Sequence, residues 1–522
     1  MTPGRAVTVL AVRQVRWGAA VVTALAGAMS LLVAVTYAAT VGSGPGVASL
    51  TSLATNPAIR TLFGEPVALD QAGGFTVWRT GTVVAVVLGV WGLLAVTRIT
   101  RGAEEAGRWE MLLAGRLTLA RAVALHVAVV AAVMPVAGAA ISTALTAPGT
   151  GAIGAALHGA GTALLGMFFV GVAGLAGQIF PTRSAATSAA VAVLGAGLLL
   201  RMVADSTQAL AWLRWLTPFG LVELSRPYDT DRPLPLLVLA GAATMVLAAV
   251  PAAARRRDLY DGWLSPRTGR APRRALLGSV TGFAVRRMLR PLAGWSLGIA
   301  AYYLLIGLVA TSLTEFLMDN PQFADLAAQA GFDRMQTAGG YVATMFALLA
   351  IPTGGFVAAR LAAASADEAG RRLAPLYAGP VTRRQYLRAE ITAAAIGAIL
   401  LAATAAVATW AGVTAAGAKL GLVPALAGTV NVLPVVALSL GASVLALGLL
   451  PRAVPTAGGF FLLVITERLT LPDPVLRLSP FSHLAPVPAT SPDWTGAFGM
   501  LAVAAVLSLI GVIAYEWRDQ RG

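Results

Sequence analysis

The stretch from Gly81 to Gly115, GTVVAVVLGVWGLLAVTRITRGAEEAGRWEMLLAG, decides the class of fold. It runs without a charge as far as Arg98 and then becomes a charged, helix-forming insert. About 20 apolar residues cross a bilayer as a helix, so the insert must lie outside the membrane. A second stretch has the same form: FVAARLAAASADEAGRRLAPLYAG, Phe356 to Gly379. A tight turn would be enough to join two spans, so the repeated insert asks for another role.

Composition agrees with a bilayer as solvent. Of 522 residues, 57% are hydrophobic and 12% charged, with a mean hydropathy of +0.77; a soluble chain needs roughly a quarter of its residues charged. The expected fold is an all-α polytopic membrane protein with about twelve transmembrane helices. Their centres fall near Leu31, Leu88, Val130, Leu165, Val193, Ala243, Leu304, Phe346, Leu400, Val436, Leu462 and Val506. The first run is long and lacks an A-x-A site before the next span, which argues against a cleaved signal. With no cysteine there is no disulfide, thiol nucleophile or thiolate metal site.

The net charge of +15 is unevenly placed. An even number of spans puts the N-terminus, the 98–121 loop, the 255–290 segment, the 360–388 loop and the C-terminus on one side. With the turns at Arg183 and Arg452, that side holds roughly 28 of the 38 basic residues. This is the positive-inside pattern of a bacterial inner (plasma) membrane protein with both termini cytoplasmic. It accounts for the charge without nucleic acid.

The chain reads as two six-span pseudo-repeats, 1–254 and 276–522, joined by a basic cytoplasmic linker at 255–275. Each opens with an Arg-bearing segment, AVRQVRW at 11–17 and AVRRMLRP at 284–291, expected to lie as an amphipathic helix in the interface. Each has a Pro–Arg turn before its fifth span, FPTRSAATS at 180–188 and LLPRAVPTAG at 449–458. Each then carries a related outer segment, LRWLTPFG at 213–220 and LRLSPFSH at 476–483.

The inserts, expected as helices over about 102–115 and 365–379, have helix grammar. Glu104, Glu105, Asp367 and Glu368 sit early, where anions complement the helix dipole. Gly115 and Gly379 stand where a helix would stop, Pro380 blocks its continuation, and Thr118 and Thr382 can cap the next span. At a spacing of 264, Glu104 meets Glu368, Arg108 meets Arg372 and Thr118 meets Thr382. A one-residue shift matches the two Glu-Ala-Gly-Arg quartets instead, and Pro375 should kink or shorten the second helix. A charged face and an apolar patch on such a helix suit a groove on a partner that pushes or pulls the adjoining spans.

This order of span, charged helix, E-E-x-G-R-x-E-x-L-L-A-[GT]-P-[VL]-[ST]-R, and span resembles the coupling helix of ABC-2-type (type V) ABC transporter permeases. The duplicated twelve spans and the LSPF segment are similar to the fused permeases described as exporters of polyketide antibiotics, the tetronasin-resistance type. The first copy departs from the pattern with Arg116-Leu117 where Pro-Val is expected; the second lacks an acid matching Glu110.

The resemblance implies an ATP-driven exporter of hydrophobic or amphipathic, antibiotic-like compounds. No G-x-x-x-x-G-K-[ST] sequence is present, and the single lysine, Lys419, is followed by Leu420. ATP and Mg would therefore be bound by a separate ATPase, in two copies, beneath the membrane. Its expected contacts are Glu104, Glu105, Arg108, Glu110, Asp367, Glu368, Arg371 and Arg372. Pro218, Phe219, Pro480 and Phe481 would form external gate segments. Asn431, Phe346 and Tyr302 are candidates for the substrate path; no metal ligands are expected.

The alternative is a major-facilitator-type secondary exporter driven by protons. It is disfavoured because no acid falls mid-span, where proton coupling would usually place one. An enzyme reading has no carboxylate cluster, nucleophile elbow or H-E-x-x-H to work with, and His126 and His158 read as interhelical hydrogen-bond partners.

Overall fold

The computed structural model describes residues 2–41, 47, 57–264, 275–319, 337–449 and 479–517. Every regular element among the described residues is helical. Among the described residues, eleven helical runs are long and apolar enough to cross a membrane, making this an all-α polytopic membrane protein. The expected span near Leu462, the turn at Arg452 and the C-terminal residues 518–522 lie outside the described residues. The chain divides into two compact units, Met1–Arg270 and Ala271–Gly522.

The first unit opens with α1 (Pro3–Val41). No helix breaker separates its Arg-bearing start from the first span, so the expected separate interfacial helix is instead the beginning of one continuous helix. Its buried positions, Val7, Ala11, Val15, Val22, Ala26 and Ala34, form one stripe at helical spacing. Next come α2 (Pro57–Phe63), α3 (Ala72–Ile99), α4 (Arg101–Glu105) and α5 (Arg108–Leu113). The third span is α6 (Leu119–Ala131) and α7 (Val133–Thr146), followed by α8 (Ala152–Ile179) and α9 (Arg183–Ser206). A 3-10 turn at Gln208–Leu216 leads to α10 (Pro218–Leu224) and α11 (Leu234–Ala254). Small residues let α7 and α8 approach closely: a side chain at Gly138 would strike the Gly159 carbonyl, and Ser142 donates to the Ala155 carbonyl at 3.0 Å.

The second unit contains α12 (Val280–Asp319), again continuous from its Arg-bearing start. It continues with α13 (Ala338–Leu348), α14 (Ala350–Ala369), α15 (Ala374–Tyr377), α16 (Arg383–Ala415), α17 (Leu422–Val430) and α18 (Leu433–Leu449). A 3-10 turn at Pro480–His483 precedes α19 (Trp494–Trp517).

Three spans are broken two or three residues before a proline: at Ala132 before Pro135, at Leu349 before Pro352, and at Asn431–Val432 before Pro434. A proline removes one backbone donor and its ring crowds the preceding turn, so the helix resets there.

Candidate functional site

Neither insert is the single helix its sequence suggests. In the first, α4 ends at Ala106 (φ −83°, ψ 8°), Gly107 takes a left-handed φ of +72°, and α5 starts afresh at Arg108. In the second, α14 runs on to Ala369, Gly370 has φ −82° and ψ 6°, and Arg371 is left-handed at φ +55°. The short α15 carries Pro375 in its first turn. Ala106 thus matches Gly370, and Gly107 matches Arg371. That settles the register at 264, and the matching Glu-Ala-Gly-Arg quartets are out of step by one.

The caps follow the same register. The Thr118 hydroxyl accepts the Arg121 N–H at 3.4 Å, and Thr382 forms a capping box with Gln385.

Glu104 does not face solvent. It is 1% exposed; its carboxylate is ion-paired with Arg101 at 2.8 Å and accepts from both Nη atoms of Arg257 at 2.6 and 2.8 Å and from the Tyr260 N–H at 2.7 Å. Arg101 also donates to the Phe180 carbonyl at 2.9 and 2.7 Å and to the Asp261 carbonyl at 2.5 Å. The Arg257 Nε donates to the Gln178 side chain at 2.7 Å, and the Leu264 N–H to the Ile179 carbonyl at 2.9 Å. Residues 255–264, read from sequence as the start of a linker, are folded onto the insert.

Buried charges need partners of this kind; an isolated one would cost several kcal/mol. Glu105 accepts the Arg183 N–H. Glu110 accepts the Tyr260 hydroxyl at 2.6 Å, and this bond holds the phenol above its usual pKa. Trp109 is buried, its ring centroid 5.2 Å from that of His126. The exposed face of α5 is left to Arg108, Glu110 and Met111, the last 81% exposed.

In the second insert the pairs fall elsewhere. Asp367 pairs with Arg287 of α12 and, at 3.6 Å, with Arg372. The buried Glu390 of α16 pairs with Arg360 at 2.6 Å and Arg287 at 3.5 Å. Glu368 is half-buried, Arg371 and Arg372 are exposed, and Leu373 is buried where the first insert has Trp109. Sequence reading gave no role to Arg257, Tyr260, Arg287, Arg360 and Glu390. Arg360 and Glu390 lie near the second insert in sequence, whereas Arg257, Tyr260 and Arg287 lie 80 or more residues from the acids they meet.

The proposed gate segments are short helices with matching starts. Thr217 accepts the Gly220 N–H at 2.8 Å ahead of Pro218, and Ser479 accepts the Phe481 N–H at 3.3 Å ahead of Pro480. Phe219 is buried, with its ring 5.8 Å from Phe169. Asn431, Phe346 and Tyr302 all lie in the second unit, the two aromatic residues joined through Tyr303. Phe346 stacks on Tyr303 at 6.0 Å, Tyr302 meets Tyr303 edge-on at 5.3 Å, and the Asn431 amide donates to the Ala485 carbonyl at 2.8 Å.

Comparison with known proteins agrees with a transport architecture. The chain matches the family described as "Multidrug efflux system permease Rv1217c, C-terminal domain" over residues 48–255 and 277–516. It is also 30% identical over 503 residues to the multidrug efflux system permease protein Rv1217c of Mycobacterium tuberculosis, covering 91% of this chain and 87% of that one. With eleven apolar runs and a match across most of both units, the chain belongs to the Rv1217c family of multidrug efflux permeases.

Proposed function

We propose that the chain is the membrane-spanning subunit of an ATP-driven exporter. It would move hydrophobic or amphipathic, antibiotic-like compounds outward, as in the fused ABC-2-type permeases of the tetronasin-resistance type. A separate ATPase in two copies binds ATP and Mg and docks on the inserts, which face the cytoplasm together with both termini. The observation that carries this reading is the recurrence, at a spacing of 264, of one broken-helix geometry. Each copy ends in a short helix flanked by arginines, and the end of the span before it is held by ion pairs: Glu104 with Arg257 in the first, Asp367 with Arg287 of α12 in the second. A partner bearing on α5 or α15 would pull on those spans through buried ionic contacts, which transmit displacement better than a solvated loop.

In this reading the exposed residues of the inserts make the contact. Arg108, Glu110, Arg371 and Arg372 are on the surface, whereas Glu104 is buried and bound within the chain. Gate closure by the helices at Pro218 and Pro480, and a substrate path past Phe346 and Asn431, belong to the same proposal.

The test is co-purification. Arg108→Glu with Arg372→Glu should release an ATPase carrying a Walker A sequence while the permease still inserts, and export should fall at least tenfold. Undiminished ATPase recovery and export in the double variant would refute the docking role.

A further inference from the structure

At the end of the first unit far from the insert, the chain leaves α9 and makes a nine-residue 3-10 helix, Gln208–Leu216, with the sequence QALAWLRWL. α9 starts beside the insert, where Glu105 accepts the Arg183 N–H, and its 24 residues span about 36 Å. The hydrocarbon core of a bilayer is about 30 Å thick, so α9 delivers this segment to the opposite membrane boundary. Runs of 3-10 helix longer than three or four residues are uncommon, and three residues per turn make side chains at i and i+3 eclipse. The segment therefore sorts into columns. Arg214, 5% exposed, turns inward, and so does Thr217 just beyond the helix, 1% exposed. Ala209, Trp212 and Trp215 form a second column that is exposed throughout, Trp212 at 61% and Trp215 at 45%. Leu216 beside them is 63% exposed.

Charge fixes the inward side. The Arg214 Nε donates to Asp205 of α9 at 2.7 Å, and its Nη1 donates to Glu65 at 2.5 Å. Glu223 of α10 accepts the Glu65 N–H at 2.5 Å. Burial alone would lower the Arg214 pKa, but Glu223, Asp205 and Glu65 more than offset that and raise it. A side chain at Gly220 would strike the Arg214 carbonyl, so the start of α10 lies directly against the segment. Arg214 is the one charged residue between Gln208 and Leu216. With it held inside, the outward face is aromatic and aliphatic and carries no charge.

Two stacked indoles beside a leucine are an unfavourable face to leave in water, whereas rings with an apolar body and one N–H edge suit the headgroup level of a bilayer. The lipid-facing surface of the spans continues from this end. α11 begins there and returns to Arg257 at the insert, and in its first turn Leu234 is 61% and Leu237 65% exposed. We propose that Gln208–Leu216 lies in the bilayer interface as an anchor, with Trp212, Trp215 and Leu216 sunk among the glycerol and upper acyl groups of phospholipid. Arg214 ties this anchor to α9 and to Glu65, and through it the membrane sets the depth of α10. The inference rests neither on export nor on an ATPase.

The chain has no cysteine, so a single introduced thiol can carry a nitroxide spin label. Ala209→Cys, in the tryptophan column, would be labelled in the full chain in nanodiscs of phosphatidylcholine and phosphatidylglycerol. Leu237→Cys on α11 serves as the lipid reference, and Thr230→Cys, exposed in the polar turn at the same end, as the water reference. Power saturation with oxygen, which concentrates in lipid, and with a nickel chelate, which stays in water, reads the depth of each label. The label at Ala209→Cys should sit about 5–10 Å into the headgroup–acyl boundary. Trp212→Ser with Trp215→Ser should shift it back to the reading of Thr230→Cys.

A label at Ala209→Cys that reads like Thr230→Cys would put the face in water. Shielding from both oxygen and nickel would put it against protein. Either result overturns the proposal, and so does a depth that the serine pair leaves unmoved. Should the serine variant not insert, the depth of Ala209→Cys between its two references decides the matter. Because the reading requires neither transport nor nucleotide, this result and the ATPase result can fail separately.

Discussion

In the first insert the carboxylate of Glu104 is enclosed by Arg101, Arg257 and the Tyr260 N–H. In the second, its positional counterpart Glu368 is half-buried, while Asp367 pairs with Arg287 and Glu390 with Arg360. The cations come from different places as well: from α4 itself and the segment after α11 in the first unit, and from α12 and α14 in the second. Backbone break and N-cap are held in common while the side chains that brace them have changed. Such divergence is expected where the geometry presented outward matters more than the residues that secure it. The buried polar side chains of the two third spans differ in kind too: at a spacing of 264, His126 stands where Glu390 does.

The sharpest way to break this comparison is to remove the acids. Glu104→Ala leaves two buried guanidiniums without their carboxylate and should cost about 3–5 kcal/mol. Glu368→Ala should cost less than about 1 kcal/mol. Thermal unfolding of the two variants in the same detergent checks this, and equal losses would mean the inserts are braced alike.

The third spans give the next contrast. Glu390→Gln strips the ion pair from Arg360 and should cost about 3 kcal/mol. His126→Leu should cost about 1 kcal/mol, because its Nδ1 contacts only a carbonyl of its own helix, Ala122, at 2.8 Å. Unfolding midpoints again separate the two.

Much of this was legible in the sequence. The spans follow from apolar length, and the caps at Thr118 and Thr382 from a threonine placed before an apolar run. The breaks in the inserts were not. Gly107 and Gly370 look like glycines a helix tolerates, and the second left-handed residue is Arg371, which no sequence rule would pick. The quartets Glu-Ala-Gly-Arg invite alignment one residue out of step, and only the φ values correct it. The bracing of Glu104 was hidden because Arg257 and Tyr260 lie 153 and 156 residues away, beyond any local periodicity. The same distance hid Glu223, which meets Glu65 across 158 residues.

A smaller effect tests the shared backbone. Gly107→Ala meets open space, its nearest neighbour being the Tyr260 hydroxyl at 3.9 Å, so its cost is the left-handed strain alone, about 1 kcal/mol. Arg371→Gly relieves the same strain and should gain about 0.5–1 kcal/mol. Opposite signs in the two unfolding midpoints support the 264 register; the same sign contradicts it. Smallest of all, Arg108→Ala and Arg372→Ala should leave the midpoint unchanged, since both side chains are exposed.

The central claim is that both inserts are held by a separate motor. Cysteine-specific cross-linking from Met111→Cys and from Ala374→Cys, each placed singly in this cysteine-free chain, tests it most directly. The account predicts that each position captures an ATPase identified by its Walker A peptide, and that nucleotide changes both yields. Absence of an ATPase adduct at both positions, in membranes where the chain still exports its compounds, would contradict it.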